Sequence, residues 1–427
     1  MISTRLAAVL KHRNIHYGWV MVAATFLTAL ITAGTVGAPG VFIVPLQQEF
    51  GWTTAEISGA LSIRFILFGP MAPFAAALLN RYGLRNVTLS ALLIVVSALL
   101  ASLAMTQVWQ LVLLWGVVIG IGTGMTALVL GATVAARWFV ARRGLVVGIL
   151  TASVATGQLV FLPLLAHLTE RTGWRVALAL MCAVLALAAL VVAMVMRDRP
   201  SDLGLRPFGD GGSEPLAAPP QNTAPIMAAA LGTLRDAAKT RVFWILFATF
   251  FICGASTNGL IQVHLIPMCL DFGIPQVQAA GLLAAMGVFD FVGTIGSGWL
   301  SDRYDNRYLL FWYYGLRGLS LLFLPFTDFS FYGLSLFAMF YGLDWIATVP
   351  PTVRLTAQRF GPERANLVFG WIFAGHQLGA ATAAFGAGLS RTVWATYVPA
   401  FFAAGVLCIA AAMIVLMIAR APKPAMA

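Results

Sequence analysis

The sequence predicts an all-α membrane protein, with twelve transmembrane helices in two pseudo-symmetric six-helix bundles. Three observations carry that prediction. Charge is scarce, apolar runs are long enough to cross a bilayer, and the second half repeats the first in one register. Hydrophobic residues make up 60% of the 427 and charged residues 10%, with a mean hydropathy of +0.89. A soluble domain carries roughly 25% charged residues. A water-soluble fold could not hide so much apolar surface, so lipid is the solvent for most of the chain.

Each spanning helix must cross roughly 30 Å of hydrocarbon at about 1.5 Å per residue. Twelve runs meet that length, near 17–44, 55–79, 84–105, 108–136, 143–167, 173–196, 242–270, 277–300, 308–326, 330–355, 364–389 and 394–418. They are called helices 1 to 12. The first follows Arg5, Lys11 and Arg13 as a secretory leader would, but it is too long for an h-region and eleven more spans follow it.

The net charge of +11 does not point to nucleic acid, because the basic residues are scattered through short connections. With the N-terminus inside, 21 of the 26 Lys and Arg fall on inward segments, and only Arg171, Arg175 and Arg391 on outward ones. That asymmetry places both termini in the cytoplasm of a multi-pass protein of the plasma (cell inner) membrane. Cys182, Cys253, Cys269 and Cys408 lie singly within apolar runs, as packed thiols do, without disulfide or metal-ligand spacing. No cofactor or metal is expected.

Residues 198–240 break the pattern with six prolines and a Gly-rich turn at Gly209, Gly211 and Gly212. They read as a flexible cytoplasmic linker between an N-terminal half, 1–197, and a C-terminal half, 241–427. Within it, Ile226–Arg241 reads equally well as a surface helix or as featureless chain.

An offset of 222 residues aligns the halves. Gly59 falls on Gly281, Arg81 on Arg303, Arg85 on Arg307, Arg137 on Arg359, Arg142 on Arg364, Gly148 on Gly370, Ala152 on Ala374 and Gly157 on Gly379. Gly83 against Asp305 is the mismatch. Six helices separate equivalent residues, so the copies share one topology and are related by an axis along the membrane normal. Parallel halves of this kind belong to alternating-access transporters, with substrate bound between them near the midplane.

The loop after helix 8, Gly298-Trp299-Leu300-Ser301-Asp302-Arg303-Tyr304-Asp305-Asn306-Arg307, resembles the G-x-L-x-D-R-x-G-R-[RK] motif of the major facilitator superfamily. The first-half copy runs from Ala76 to Arg85, with Asn80 where that family has Asp and Ala76 where it has Gly. The resemblance implies a cytoplasmic gate of Asn80, Arg81, Arg85, Asp302, Arg303 and Arg307, weaker in the first half because an amide replaces a carboxylate. Arg137-Trp138-Phe139-Val140-Ala141-Arg142-Arg143-Gly144, running on to Gly148, Ala152 and Gly157, is similar to the monocarboxylate transporter and oxalate/formate antiporter branch. So is Tyr17-Gly18-Trp19, without the branch's acidic residue in helix 1. Helix 8 carries Asp290 at the branch's acidic site, but Thr294 stands where the branch has arginine one turn later.

Ionisable groups deep in spanning helices cost several kcal/mol and are usually functional. Six stand out: Arg64, His264, Asp290, Arg317, Asp344 and His376. Asp290 and Arg317 each lie roughly 15 Å in by helical rise and could pair. Asp344 precedes Pro350-Pro351, which must loosen helix 10. One arginine cannot fully satisfy two carboxylates, so Asp290 or Asp344, with Arg317 and His264 nearby in role, is expected to carry a coupling proton. Arg64 has no opposing acid in helices 1 to 6, where every acid sits in a loop or near a helix end, and needs an anion, the substrate; the alternatives are that it snorkels, bonds backbone carbonyls, or pairs with Asp290 or Asp344 across the cavity. In the resembled fold helix 2 faces helix 11, which would bring His376 and Gln377 to it. In helix 7, Ser256-Thr257-Asn258-Gly259 with Gln262 interrupts an apolar run and reads as cavity lining. Packing is the competing reading for both histidines and for the Arg317 pair.

The function expected is secondary active transport, a proton-linked symport or exchange of small organic anions (monocarboxylates) by a monomer, with the lipid bilayer and protons as its other partners. Proton-coupled efflux of lipophilic drugs is the rival within carriers, and a transporter-like membrane sensor is the rival from another class. An enzyme is not expected, since no nucleophile-base pair or metal-ligand cluster appears.

Overall fold

The computed structural model describes residues 2–126, 128–211, 226–327 and 329–419; a few side chains inside these ranges, that of Asn80 among them, lie outside the described residues. Twelve membrane-length helical segments follow one another: Gly18–Phe50, Thr54–Tyr82, Leu84–Ser102, Val108–Trp138, Arg143–Thr172, Trp174–Val195, Arg241–Asp271, Gln276–Ser301, Asn306–Phe326, Phe331–Phe360, Pro362–Trp394 and Val398–Val415. Ten of them meet length and hydropathy requirements for crossing a membrane among the described residues. The other two, Thr54–Tyr82 and Pro362–Trp394, are helices 2 and 11.

Helices 1 to 6 pack on one another as one bundle and helices 7 to 12 as a second. Helix 2 lies along helix 11, helix 5 along helix 8, and the end of helix 1 against the end of helix 7, so these pairs join the bundles. The repeated glycines explain some of the packing. A Cβ on Gly157 of helix 5 would stand 2.2 Å from Leu30 O of helix 1. One on Gly379 of helix 11 would stand 1.8 Å from Phe251 O of helix 7. The same crossing is made twice, at nearly the same offset. Gly148 and Gly370, also equivalents, have nothing near such a Cβ, so their recurrence is not explained by close approach.

The interior breaks in the helices also follow from residue chemistry. Helix 7 passes through a π turn over Ala255–Ile261, which contains the polar Ser256-Thr257-Asn258 run. Helix 10 is interrupted between Asp344 and Val349, just before Pro350 and Pro351. Prolines there cannot donate to Ile346 O and Ala347 O, so the helix cannot continue unbroken.

The connector is not uniformly loose. Phe208 N donates to Trp138 O at 2.8 Å and Val140 N to Phe208 O at 2.9 Å, while the Phe208 ring packs on Trp19 and Phe139. An aromatic anchor and three backbone bonds, the third from Ala141 N to Phe208 O at 3.1 Å, therefore seat its first part on helices 1 and 4, where proline and glycine content alone predicts flexibility. Ile226–Ala237 is a helix, and residues 212–225 lie outside the described residues.

Gly157→Ala and Gly379→Ala should each lower stability by about 1–3 kcal/mol, the usual range for overpacking. Gly148→Ala and Gly370→Ala should be near neutral. Thermal unfolding of the detergent-purified variants distinguishes the two pairs; equal effects in all four would disprove the close crossings.

Candidate functional site

Arg317, on helix 9, enters the second bundle completely buried. Its Nε donates to Asp344 Oδ2 at 2.6 Å, its Nη2 to Asp344 O and to Trp345 O (3.1 Å), and its Nη1 to Cys253 Sγ at 3.0 Å. The planar fork suits this position, because the helix 10 break leaves the carbonyls of 344 and 345 without their usual amides. Ser297 Oγ, from helix 8, donates to Ala347 O at 2.5 Å, replacing the donor that Pro351 lacks. Arg317 is thus the keystone of the break as well as the counter-charge of Asp344. Asp344 Oδ1 has no hydrogen-bond partner among the described residues.

The expected Asp290–Arg317 pair is not formed. Asp290 Oδ1 accepts from Thr294 Oγ1 at 3.0 Å and from Ile346 N at 2.8 Å. Depth along the helices brought both residues to the right level, but the side of helix 9 that Arg317 occupies turns its fork to helix 10. Thr294, standing at the arginine position of the resembled branch, supplies a hydroxyl instead of a charge. Asp290 therefore faces the break through an exposed amide of helix 10, with its carboxyl held by a hydroxyl and an N–H.

Arg64 is 3% exposed and makes no hydrogen bond or ion pair among the described residues. Its guanidinium carbon lies 4.9 Å from the Phe65 ring centre. It lines a narrow cleft inside the first bundle. Thr35, Ala38, Pro39 and Phe42 of helix 1 line it too, with Leu99, Trp115, Ile119, Leu178 and Met181. Among the described residues that line it, Arg64 is the single charged group and Thr35 the single hydroxyl. Trp115 Nε1 is turned away to Ser102 Oγ at 3.0 Å.

His376 does not join Arg64. Its ring packs between Phe250 of helix 7 and Phe373, at 5.0 and 5.6 Å between centroids, with Nδ1 unpartnered among the described residues. Gln377 is one of the residues of helix 11 that meet helix 2, its Cβ 2.8 Å from where Gly69 would carry one, and its Oε1 has no partner among the described residues. Helix 2 does pack along helix 11, but Arg64 points to the opposite side, into its own bundle. His264 is fully buried, with Nε2 2.8 Å from Ala384 O and the ring 5.2 Å from Tyr397, the surroundings of a packing residue. Asn258 is half-buried in the π turn, and Gln262 is buried where helix 7 meets Gly40 of helix 1.

The loop residues divide by job. Arg85 donates to Ala193 O through Nε (3.0 Å) and Nη2 (2.8 Å), tying helix 3 to the end of helix 6. Its repeat equivalent Arg307 donates to Ile418 O at 2.7 Å, just past helix 12. The Gly83–Asp305 mismatch has a physical reason. Asp305 accepts from Arg307 N at 3.0 Å, capping helix 9. In the first half Asp198 accepts from Arg85 N at 3.0 Å, and a Cβ on Gly83 would stand 2.3 Å from its Oδ2. The carboxylate comes from a different residue and needs the glycine for room. Asp302 pairs with Arg354 of helix 10, whereas the first half has Asn80 and Ala132 at those registers. Arg81 lies beside Tyr82, and Arg303 lies over Trp299 at 4.1 Å.

Comparison with known proteins agrees with this architecture. The model of the Major Facilitator Superfamily matches residues 25–384. The chain belongs to that family, and it is a membrane transporter, not an enzyme. It is 24% identical over 382 residues to the uncharacterized MFS-type transporter YcxA of Bacillus subtilis, covering 87% of this chain and 88% of that one. It is 27% identical over 399 residues to monocarboxylate transporter 13 of Bos taurus, covering 92% and 87%. Among solved structures, a point mutant of the nucleoside transporter NupG superposes with a TM-score of 0.76 at 12% identity, covering 93% of this chain and 99% of that one. A bacterial homolog of the human lysosomal transporter Spinster, inward-facing and unoccupied, gives 0.71 at 15%, covering 94% and 95%. At these identities the two structures speak for the fold.

Breaking a buried ion pair from one side typically costs about 3–5 kcal/mol. Arg317→Met should show a loss of that size in thermal unfolding, since Asp344 and two carbonyls lose their donors together. Arg317→Lys should recover only part of it, lacking the fork. A stable Arg317→Met protein would refute the keystone role.

Proposed function

We propose that this transporter is a proton-linked carrier or exchanger of small organic anions, monocarboxylates first, working by alternating access. The observation that carries the reading is Arg64: a buried guanidinium, without a counter-charge among the described residues, lining a mostly apolar cleft. A cation at that depth is costly until an anion joins it. The apolar walls suit a short hydrocarbon tail beside one carboxylate. The similarity to monocarboxylate transporter 13 supports the same class. A cationic drug would meet Arg64 as a like charge, which disfavours the efflux reading.

Asp290 is the proton site in this reading. Held by a hydroxyl and an amide rather than a cation, it can gain and lose a proton without breaking an ion pair, whereas Asp344 is committed to Arg317. Its bond to Ile346 N makes helix 10 responsive to that proton. His264, His376 and Gln377 take packing roles, and Asn258 and Gln262 line the path along helix 7. The Asp302–Arg354 pair and Arg303 belong to the cytoplasmic gate, with Arg81 and Arg85 in the first half. The end of the bundle carrying these loops faces the cytoplasm, as the distribution of Lys and Arg requires. Residues 1–197 and 241–427 move as the two halves, within one protomer.

The test is thermal stability of the purified protein against a panel of short carboxylates and lipophilic cations. A ligand at ten times its Kd adds about 1.4 kcal/mol when it binds only the folded state. Stabilisation by carboxylates that disappears in Arg64→Ala is the expected result; stabilisation by cations alone would replace the anion reading with efflux. In proteoliposomes, Asp290→Asn should abolish uptake driven by a pH gradient while leaving carboxylate binding intact. Retained pH-driven uptake in Asp290→Asn would remove Asp290 from the proton path.

A further inference from the structure

We propose that Gln276 and Pro45 form a latch that closes the transporter at the end opposite the basic loops, and that this latch must open in each transport cycle. Pro45 lies inside helix 1. It has no N–H, so Val41 O, four residues earlier, has no helical donor. Gln276, the first residue of helix 8 and 7% exposed, donates to that carbonyl through Nε2 at 2.6 Å. A carbonyl only accepts, so the amide's orientation follows from its partner. The bond joins the first bundle to the second, and it is made from an acceptor that one residue type creates.

The surroundings make this a closure and not an isolated contact. Pro267, inside helix 7, is the repeat equivalent of Pro45 at the 222-residue offset, and Val263 is the equivalent of Val41. Gly40 of helix 1 sits against this second freed carbonyl: a Cβ there would lie 3.0 Å from Gln262 O and 3.1 Å from Val263 O. The two proline-loosened helices thus approach backbone to backbone. Nearby, Val277 N donates to Glu170 Oε1 at 3.3 Å and Ala55 N to Thr392 Oγ1 at 3.1 Å, both also between bundles. Thr54 is the register equivalent of Gln276 and is too short to mirror it; it accepts from Gln47 Nε2 at 2.9 Å within its own bundle. The latch is therefore one-sided, and Gln276 is its positioning residue.

An Ala38→Cys substitution, one turn below Val41 at a buried position, reports the opening. The protein is labelled in sealed membranes with an impermeant maleimide supplied from the latch side; the native cysteines are buried. Gln276→Glu and Gln276→Met keep the size but not the donor, and should be labelled about three- to tenfold faster, the shift expected from loss of one hydrogen bond. Gln276→Lys restores a donor near the membrane edge and should return to the parent rate. Pro45→Ala gives Val41 O its own helical donor and should also be labelled faster. Parent-like rates in Gln276→Glu and Gln276→Met, or a Gln276→Lys rate equal to that of Gln276→Met, would overturn the latch. Labelling of Cys408 marks an unfolded variant; in that case Pro45→Ala decides, and an unchanged rate there refutes the assignment.

Discussion

A carbonyl stranded in hydrocarbon has no water to turn to, and this constraint organises the protein. Pro45, Pro267, Pro350 and Pro351 each withdraw an amide from a spanning helix. Two of the stranded carbonyls take donors from other helices, Val41 O from Gln276 and Ala347 O from Ser297, while Ile346 O takes Val349 N of its own helix. Arg317 serves the carbonyls of Asp344 and Trp345 beside the same break. The places where helices bend are therefore also the places where helices are tied together. A carrier needs both properties at the same points, since its bundles must change their contacts without leaving polar backbone bare.

The two buried arginines illustrate how the same side chain serves two ends. Arg317 has its acceptors provided: a carboxylate, two carbonyls and a thiol. Its charge is consumed in holding helix 10 open. Arg64 has an aromatic neighbour and a cavity. In a medium that penalises a lone ion, the first arrangement is a structural solution, and the second is the one that the proposed function completes with an anion.

Asp290 accepts from the amide of Ile346 inside the helix 10 break that Arg317 holds. In the proposed reading, a proton at Asp290 and the shape of helix 10 would share that hydrogen bond. The basic loops are less symmetric than their sequences. Asp305 caps helix 9 from its own position, while Asp198 reaches over Gly83 to do the same work for helix 3.

Composition and run length alone determined the membrane setting and the twelve helices, because burial in lipid demands long apolar segments whatever their neighbours. The fixed offset determined two like bundles, because a repeat in register can only be built one way. The break before Pro350 was legible for a like reason: it is a local rule of backbone geometry. Pairing was not legible. Depth along a helix follows from counting at about 1.5 Å per residue, but the direction of a side chain depends on how its helix is rotated against its neighbours. That rotation sent Arg317 to Asp344 and left Asp290 to Thr294. It also turned Arg64 away from His376, and it set Gln276 opposite a carbonyl whose availability was written in Pro45 from the start.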